Sequence, residues 1–132
     1  MRLVTVAAAA MMAVAGSATA NGLDHGAPGV MNDEALKKAL TDKTIHLSTP
    51  LGRLPIRFRA DGTMSATANP DLASYVGSGW DRGRWWIVSN QLCQRWNTWL
   101  DGRLYCFKLR QHGRMVYWMR NDGLTGVATI TH

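Results

Sequence analysis

Acidic residues are scarce in this chain. Nine Asp and Glu stand against fifteen Lys and Arg, a formal charge of +6 with His neutral, and eleven of the fifteen are Arg. No run of Lys and Arg concentrates the charge, so it reads as a soluble basic surface able to meet polyanions. Cysteine is nearly absent, with Cys93 and Cys106 alone. They lack C-x-x-C spacing and have no His beside them, which argues against a thiol-redox or zinc site. The C-x-x-C-H of covalent haem is missing, as are a Ser-His-Asp set in recognisable context and a phosphate-cradling glycine motif. Asp81, Asp101 and Asp122 each lie beside Gly, Arg or a turn, and turn chemistry explains them better than the paired acids of sugar hydrolysis. His112 stands at an expected turn, and Met115 and Met119 on a strand face where Met commonly packs, so no metal site is expected there. No catalytic residue, metal ligand or cofactor is assigned, and the chain reads as non-enzymatic.

The N-terminus has the form of a secretory leader. Met1-Arg2 is a short basic start, Leu3 to Ala15 an apolar run, and Ala18-Thr19-Ala20 a small-residue cleavage site. The run is too short and wrongly flanked for a membrane span. Cleavage after Ala20 and a periplasmic or secreted destination are the expectation, with no transmembrane span in the mature chain. The division is then 1–20 leader, 21–31 mobile arm with no periodicity, and 32–132 one β-rich domain. Two cysteines in an exported chain are most simply one disulfide.

All six tryptophans and both cysteines fall in Trp80–Arg120. Aromatic and polar residues alternate there at a spacing of two, and Asp-Gly or His-Gly punctuates the runs, as in antiparallel strands joined by tight turns. Upstream, Asn32 can cap a helix over Asp33–Leu40. Acids occupy its first turn, Lys37 and Lys38 lie later, and Leu36 and Leu40 share a face. No second helix is expected beyond a turn around Leu72–Tyr75 in the polar loop Asn69–Gly79. Strands are expected at Thr44–Ser48, Leu54–Ala60, Thr63–Ala68, Trp85–Ser89, Leu92–Trp96, Arg103–Arg110, Arg114–Arg120 and Thr125–Thr131. Pro55 points to an edge position for the second. The expected fold is all-β with one short N-terminal helix. It is a small antiparallel meander, barrel-like or strongly curved, with the helix against one opening and one disulfide.

Register divides the faces. Opposing Cys93 to Cys106 leaves Asn97–Gly102 as a six-residue hairpin loop. The bridge would close about 14 residues, worth roughly 3 kcal/mol. A two-residue turn at His112-Gly113 would set Phe107 against Trp118 and Leu109 against Val116. Those four, with Leu92, Trp96 and Tyr105, form the expected core face. The opposite face carries Cys93, Arg95, Cys106, Lys108, Arg110, Met115, Tyr117 and Met119. Neighbours on a strand point to opposite sides, so one of Trp85 and Trp86 must leave the core. Trp99, in the loop, is expected to be exposed. Cations beside exposed rings suit charge, stacking and hydrogen bonding. The expected ligand-binding set is therefore Trp86, Arg95, Trp99, Lys108, Arg110 and Tyr117. Its partner would be an envelope polyanion, a glycan or a protein; nucleic acid is disfavoured because export removes the protein from it. The competing account has the helix covering Met115, Tyr117 and Met119 as a second core. The alternative functions are a proteinaceous inhibitor of an exported hydrolase such as a protease, and behind it a small envelope enzyme.

One ordered pattern carries a resemblance. Gly79-Trp80-Asp81-Arg82-Gly83-Arg84-Trp85 reads G-W-x-x-G-x-W, followed by C-x-x-W at Cys93–Trp96 and C-F at Cys106-Phe107. Over roughly Gly79–Gly126 this resembles small exported alphaproteobacterial proteins of unknown function, which implies an envelope protein without catalytic residues. Size, export and a single disulfide are also similar to small lipocalin-like inhibitors of secreted metalloproteases. The arm 21–31 departs from their inhibitory N-terminus.

Overall fold

A computed structural model describes residues 29–132. The expected leader, its cleavage point and residues 21–28 lie outside the described residues. Eight antiparallel strands follow in chain order: β1 (Lys43–Thr49), β2 (Gly52–Phe58), β3 (Thr63–Thr67), β4 (Trp80–Val88), β5 (Gln91–Trp96), β6 (Leu104–His112), β7 (Met115–Arg120) and β8 (Thr125–Thr131). Each pairs with its neighbour, and β8 returns to β1, so the meander closes into a barrel with no free edge. Pro55 nevertheless marks a local edge: the β2–β3 ladder runs only from Ile56 to Phe58, and Pro55 has no partner on that side. Its missing N–H therefore disturbs no ladder there.

Helix α1 (Asp33–Leu40) closes the base. Asn32 Oδ1 accepts from the N–H of Ala35 at 2.9 Å, and Leu36 and Leu40 are fully buried. The helix start is tied to the β4–β5 turn by two reciprocal bonds. Asp33 N–H donates to Asn90 Oδ1 at 2.9 Å, and Asn90 N–H donates to Asp33 Oδ1 at 2.6 Å. Ser89 and Asn90 both have positive φ, 53° and 59°, the backbone a two-residue hairpin turn needs. Trp85 completes the closure. Its ring meets Phe58 edge-on at 5.4 Å, and its Nε1–H donates to the carbonyl of Arg59 in the β2–β3 turn at 2.9 Å. At the same end Val30 bridges Arg110, and Met31 N–H donates to the carbonyl of Leu109. The last residues of the expected arm thus lie against β6, beyond the point where β5 has ended.

Three local expectations are corrected. The loop after β3 holds a second helix, α2 (Pro70–Val76), with Asn69 as its cap and Pro at its start, the position where a missing N–H is harmless. Strand β4 begins at Trp80 rather than Trp85, because Trp80, Arg82 and Arg84 continue the outward alternation of Trp86. The β6–β7 turn is Gly113-Arg114, and the register moves so that Leu109 faces Trp118 and Phe107 faces Arg120. That shift leaves every side chain on its expected face.

Cys93 and Cys106 are Cα partners across β5–β6 and form the disulfide. Trp85 is buried and Trp86 lies outside, 39% exposed. Arg82, Arg84, Arg95, Lys108 and Arg110 alternate on β4, β5 and β6 with residues that face an apolar interior. A membrane-spanning barrel has the reverse arrangement, with its apolar residues facing lipid. Among the described residues no helix is long and apolar enough to cross a membrane.

Candidate functional site

The barrel is packed at one end and open at the other. Leu36, Leu40, Phe58, Met64 and Trp85 fill the base. Above them lies a cavity of about 650 Å³, walled by interior positions of the strands and reaching the β1–β2 turn, α2, the β5–β6 loop and the β7–β8 turn. That size is ordinary for a small-molecule site. The walls are mostly apolar, with Leu54, Ile56, Leu109, Val116 and Ala128 around the waist.

Few polar groups reach this space. Gln94 stands between Leu92 and Trp96 on β5, is 7% exposed, and its amide makes no side-chain hydrogen bond among the described residues. The Trp118 ring also lines the cavity, but its Nε1–H is buried away from that space, without a partner among the described residues. The ring meets Phe107 edge-on at 5.6 Å and lies flat on Gly126, its partner on β8. Any side chain at position 126 would occupy the indole's place. Arg120 stands at the mouth. Its Nε and Nη2 donate to the two carboxylate oxygens of Asp122 at 2.9 and 2.8 Å, and its guanidinium lies 4.1 Å from the centre of the Tyr105 ring. The hydrogen bond from Arg120 holds the Asp122 carboxyl down at about 2, and the same bond raises the Arg120 pKa.

The mouth is built on Asp81. Its Oδ2 accepts from the N–H groups of Thr98 and Trp99, both at 2.9 Å, across from β4 to the β5–β6 loop. Burial pushes this carboxyl up, but the Trp99 and Thr98 N–H groups more than offset it, and its pKa lies below the ordinary value. The anchored loop then takes a tight path, with Leu100 and Asp101 both left-handed at φ 56° and 57°. Trp99 turns inward, packs on Trp96 at 4.8 Å between ring centres and donates from Nε1 to Ser78 Oγ at 3.0 Å. Leu51, Tyr75, Leu100 and Leu124, one from each mouth connection, remain exposed around the opening; Tyr75 is 78% exposed.

Of the residues expected to bind a ligand, five lie on the outer wall of β4–β7. Trp86, Arg95, Arg110 and Tyr117 are exposed there and Lys108 is half-buried. Trp99 is corrected: it is 2% exposed and forms cavity wall, because Asp81 draws its backbone into the barrel. Helix α1 sits at the base and leaves Met115 and Tyr117 exposed, so they form no second core. Gln94 and Arg120 were not singled out by sequence, and Trp118 was expected only as core. The available signal was Gln94, a lone amide at a core-facing position between Leu92 and Trp96. No protein-family profile matches the chain, and neither a curated protein nor a solved structure does.

Proposed function

We infer that this protein is a non-enzymatic binding module that takes a small, mainly apolar molecule into the open end of the barrel. The observation that carries the reading is the apolar cavity of about 650 Å³ above a packed base. Apolar walls favour apolar contents, at about 25 cal/mol per Å² removed from water. Gln94, on the cavity wall, can donate or accept. The ligand therefore carries one polar group on an otherwise apolar frame.

The test is titration of the full chain with a fluorescent apolar probe, and displacement of that probe by fatty acids and by neutral long-chain alcohols. Leu47→Trp, which adds bulk at a half-buried position of the cavity wall, is expected to weaken probe binding at least tenfold while the protein stays folded. Unchanged binding in that variant refutes the reading.

A second reading, of an anionic or glycan ligand held outside, rests on exposed Trp86, Arg95, Arg110 and Tyr117 around the β4–β7 wall. Replacing Arg110 and Tyr117 with Ala would weaken such capture and leave the cavity probe bound. Export accompanies both readings. It is supported by the leader-like start and by a disulfide of the kind that persists in oxidising compartments. N-terminal sequencing of the mature protein is expected to begin at Asn21, and a full-length membrane-bound form would refute cleavage.

A further inference from the structure

Besides Arg53 near the start of β2, five arginines stand on the outer wall of β2–β5. Arg57 on β2 and Arg82 on β4 flank Ser65, the Cα partner of both, and Arg84 on β4 directly opposes Arg95 on β5. Arg59 follows β2 and donates to Ser65 Oγ at 2.9 Å. Like charges directly opposed on neighbouring strands destabilise a sheet, so folding alone gives no reason for the array. Among the described residues the one salt bridge is Arg120–Asp122, on the opposite side. The nearby acid, Asp61, is bound by the hydroxyl and N–H of Thr63, and these bonds, ahead of Arg59 and Arg84, hold its carboxyl below the ordinary value. Trp80 and Trp86 stand exposed on the same strand as Arg82 and Arg84, and Arg82 lies 5.6 Å from the Trp80 ring. Along β4 the outward sequence is thus Trp, Arg, Arg, Trp.

We propose that this wall docks the protein on an anionic phospholipid bilayer. The charge is complementary to phosphate-bearing headgroups, and arginine can bind phosphate oxygens with two parallel N–H groups. Tryptophan prefers the headgroup level of a bilayer, where its apolar ring and N–H are both accommodated. The two rings are six residues apart, about 20 Å along the strand, and bracket the arginines. Arginine with exposed rings could also hold single-stranded nucleic acid. The bilayer is favoured because the barrel mouth bears four further exposed apolar side chains, Leu51, Tyr75, Leu100 and Leu124, for which a polynucleotide has no use. The wall lies outside the barrel, and the proposal does not require the cavity to be filled.

The test is co-sedimentation of the full chain with phosphatidylcholine vesicles that contain or lack phosphatidylglycerol. Arg84→Gln with Arg95→Gln is compared with Lys37→Gln with Lys38→Gln, which removes the same charge from exposed positions of α1 at the base. The first pair is expected to weaken the phosphatidylglycerol-dependent binding about thirtyfold, roughly fivefold per arginine, and the second less than threefold. The dependence should vanish at high salt. Any apolar attachment by residues 1–28 is common to all variants and to both vesicle types. Thermal melting checks the fold, and Arg57→Gln with Arg82→Gln supplies a second lesion of the same wall. Equal loss in both charge-matched pairs overturns the proposal, since net charge would then suffice. Absence of any phosphatidylglycerol-dependent binding overturns it as well. So does arginine-dependent binding of a single-stranded oligonucleotide without vesicle binding.

Discussion

Gly83 sits in a packed part of the barrel and Gly126 on the cavity wall. A Cβ at Gly83 would press on the backbone carbonyl of Arg95, come to 2.7 Å from Met64 Cε and 3.0 Å from Trp96 Cα. A Cβ at Gly126 would strike the Trp118 indole, with Cε2 at 2.7 Å. Both lie on strands without positive φ, so alanine meets no backbone penalty and gains about 0.4–1 kcal/mol from a less flexible unfolded chain. The obstacles differ. At Gly83 the neighbouring strand must move, and β5 is held by the disulfide on one side and by Trp96 in the core on the other. At Gly126 the obstacle is a side chain whose other face looks into about 650 Å³ of cavity. Overpacking typically costs about 1–3 kcal/mol. Gly83→Ala should reach or exceed the top of that range, a drop of more than about 12 °C in Tm at about 4–8 °C per kcal/mol. Gly126→Ala should cost about 1 kcal/mol or less, because the indole can swing inward. It should also change the near-ultraviolet circular dichroism and weaken binding of an apolar probe at least tenfold. If Gly126→Ala melts as early as Gly83→Ala and binds the probe as the wild type does, the cavity is not the space described here.

Other outcomes follow from single contacts. Asp81→Ala leaves the N–H groups of Thr98 and Trp99 without their acceptor, and should cost about 2–3 kcal/mol in chemical denaturation and expose Trp99 to acrylamide quenching. Because the Asp81 carboxyl is held below its unfolded value, its contribution is complete above about pH 4 and is lost as pH falls through the lower folded value. The acid limb of a stability–pH curve should therefore be shallower in Asp81→Asn. Asp122 should titrate by NMR at about 2, and Arg120→Gln should return it toward the ordinary carboxylate range; an unchanged value would refute the pair. The native protein should show no alkylatable thiol under denaturing, non-reducing conditions, and reduction should cost about 3 kcal/mol through the loop closed between Cys93 and Cys106. Asn90→Gly removes the side-chain bond to Asp33 but keeps the left-handed turn, so it should cost about 1 kcal/mol, and Asn90→Ala about 1 more.

Local rules carried the sequence a long way. Asn32, two acids, two lysines and two leucines spaced by four specify α1 without reference to anything else. Period-two alternation specifies the strands, and the parity of that alternation specifies which side chains share a face. This is why Trp85 and Trp86 part company as expected, and why a shifted β6–β7 turn leaves the faces intact. The opposition of Cys93 and Cys106 was likewise implicit in their spacing across a six-residue loop. Closure is a different matter. Whether eight strands end as a curved sheet or return β8 to β1 depends on accumulated twist and stagger around the whole barrel, which no window of residues contains. The cavity depends on that closure. Leu47 and Trp118 have the same apolar signature whether they pack against neighbours or face open space. Sequence therefore marks them as core, and only the barrel's diameter makes them wall. Trp99 shows the same limit: its loop position reads as exposed until Asp81, eighteen residues away, fixes its backbone N–H and turns the ring inward.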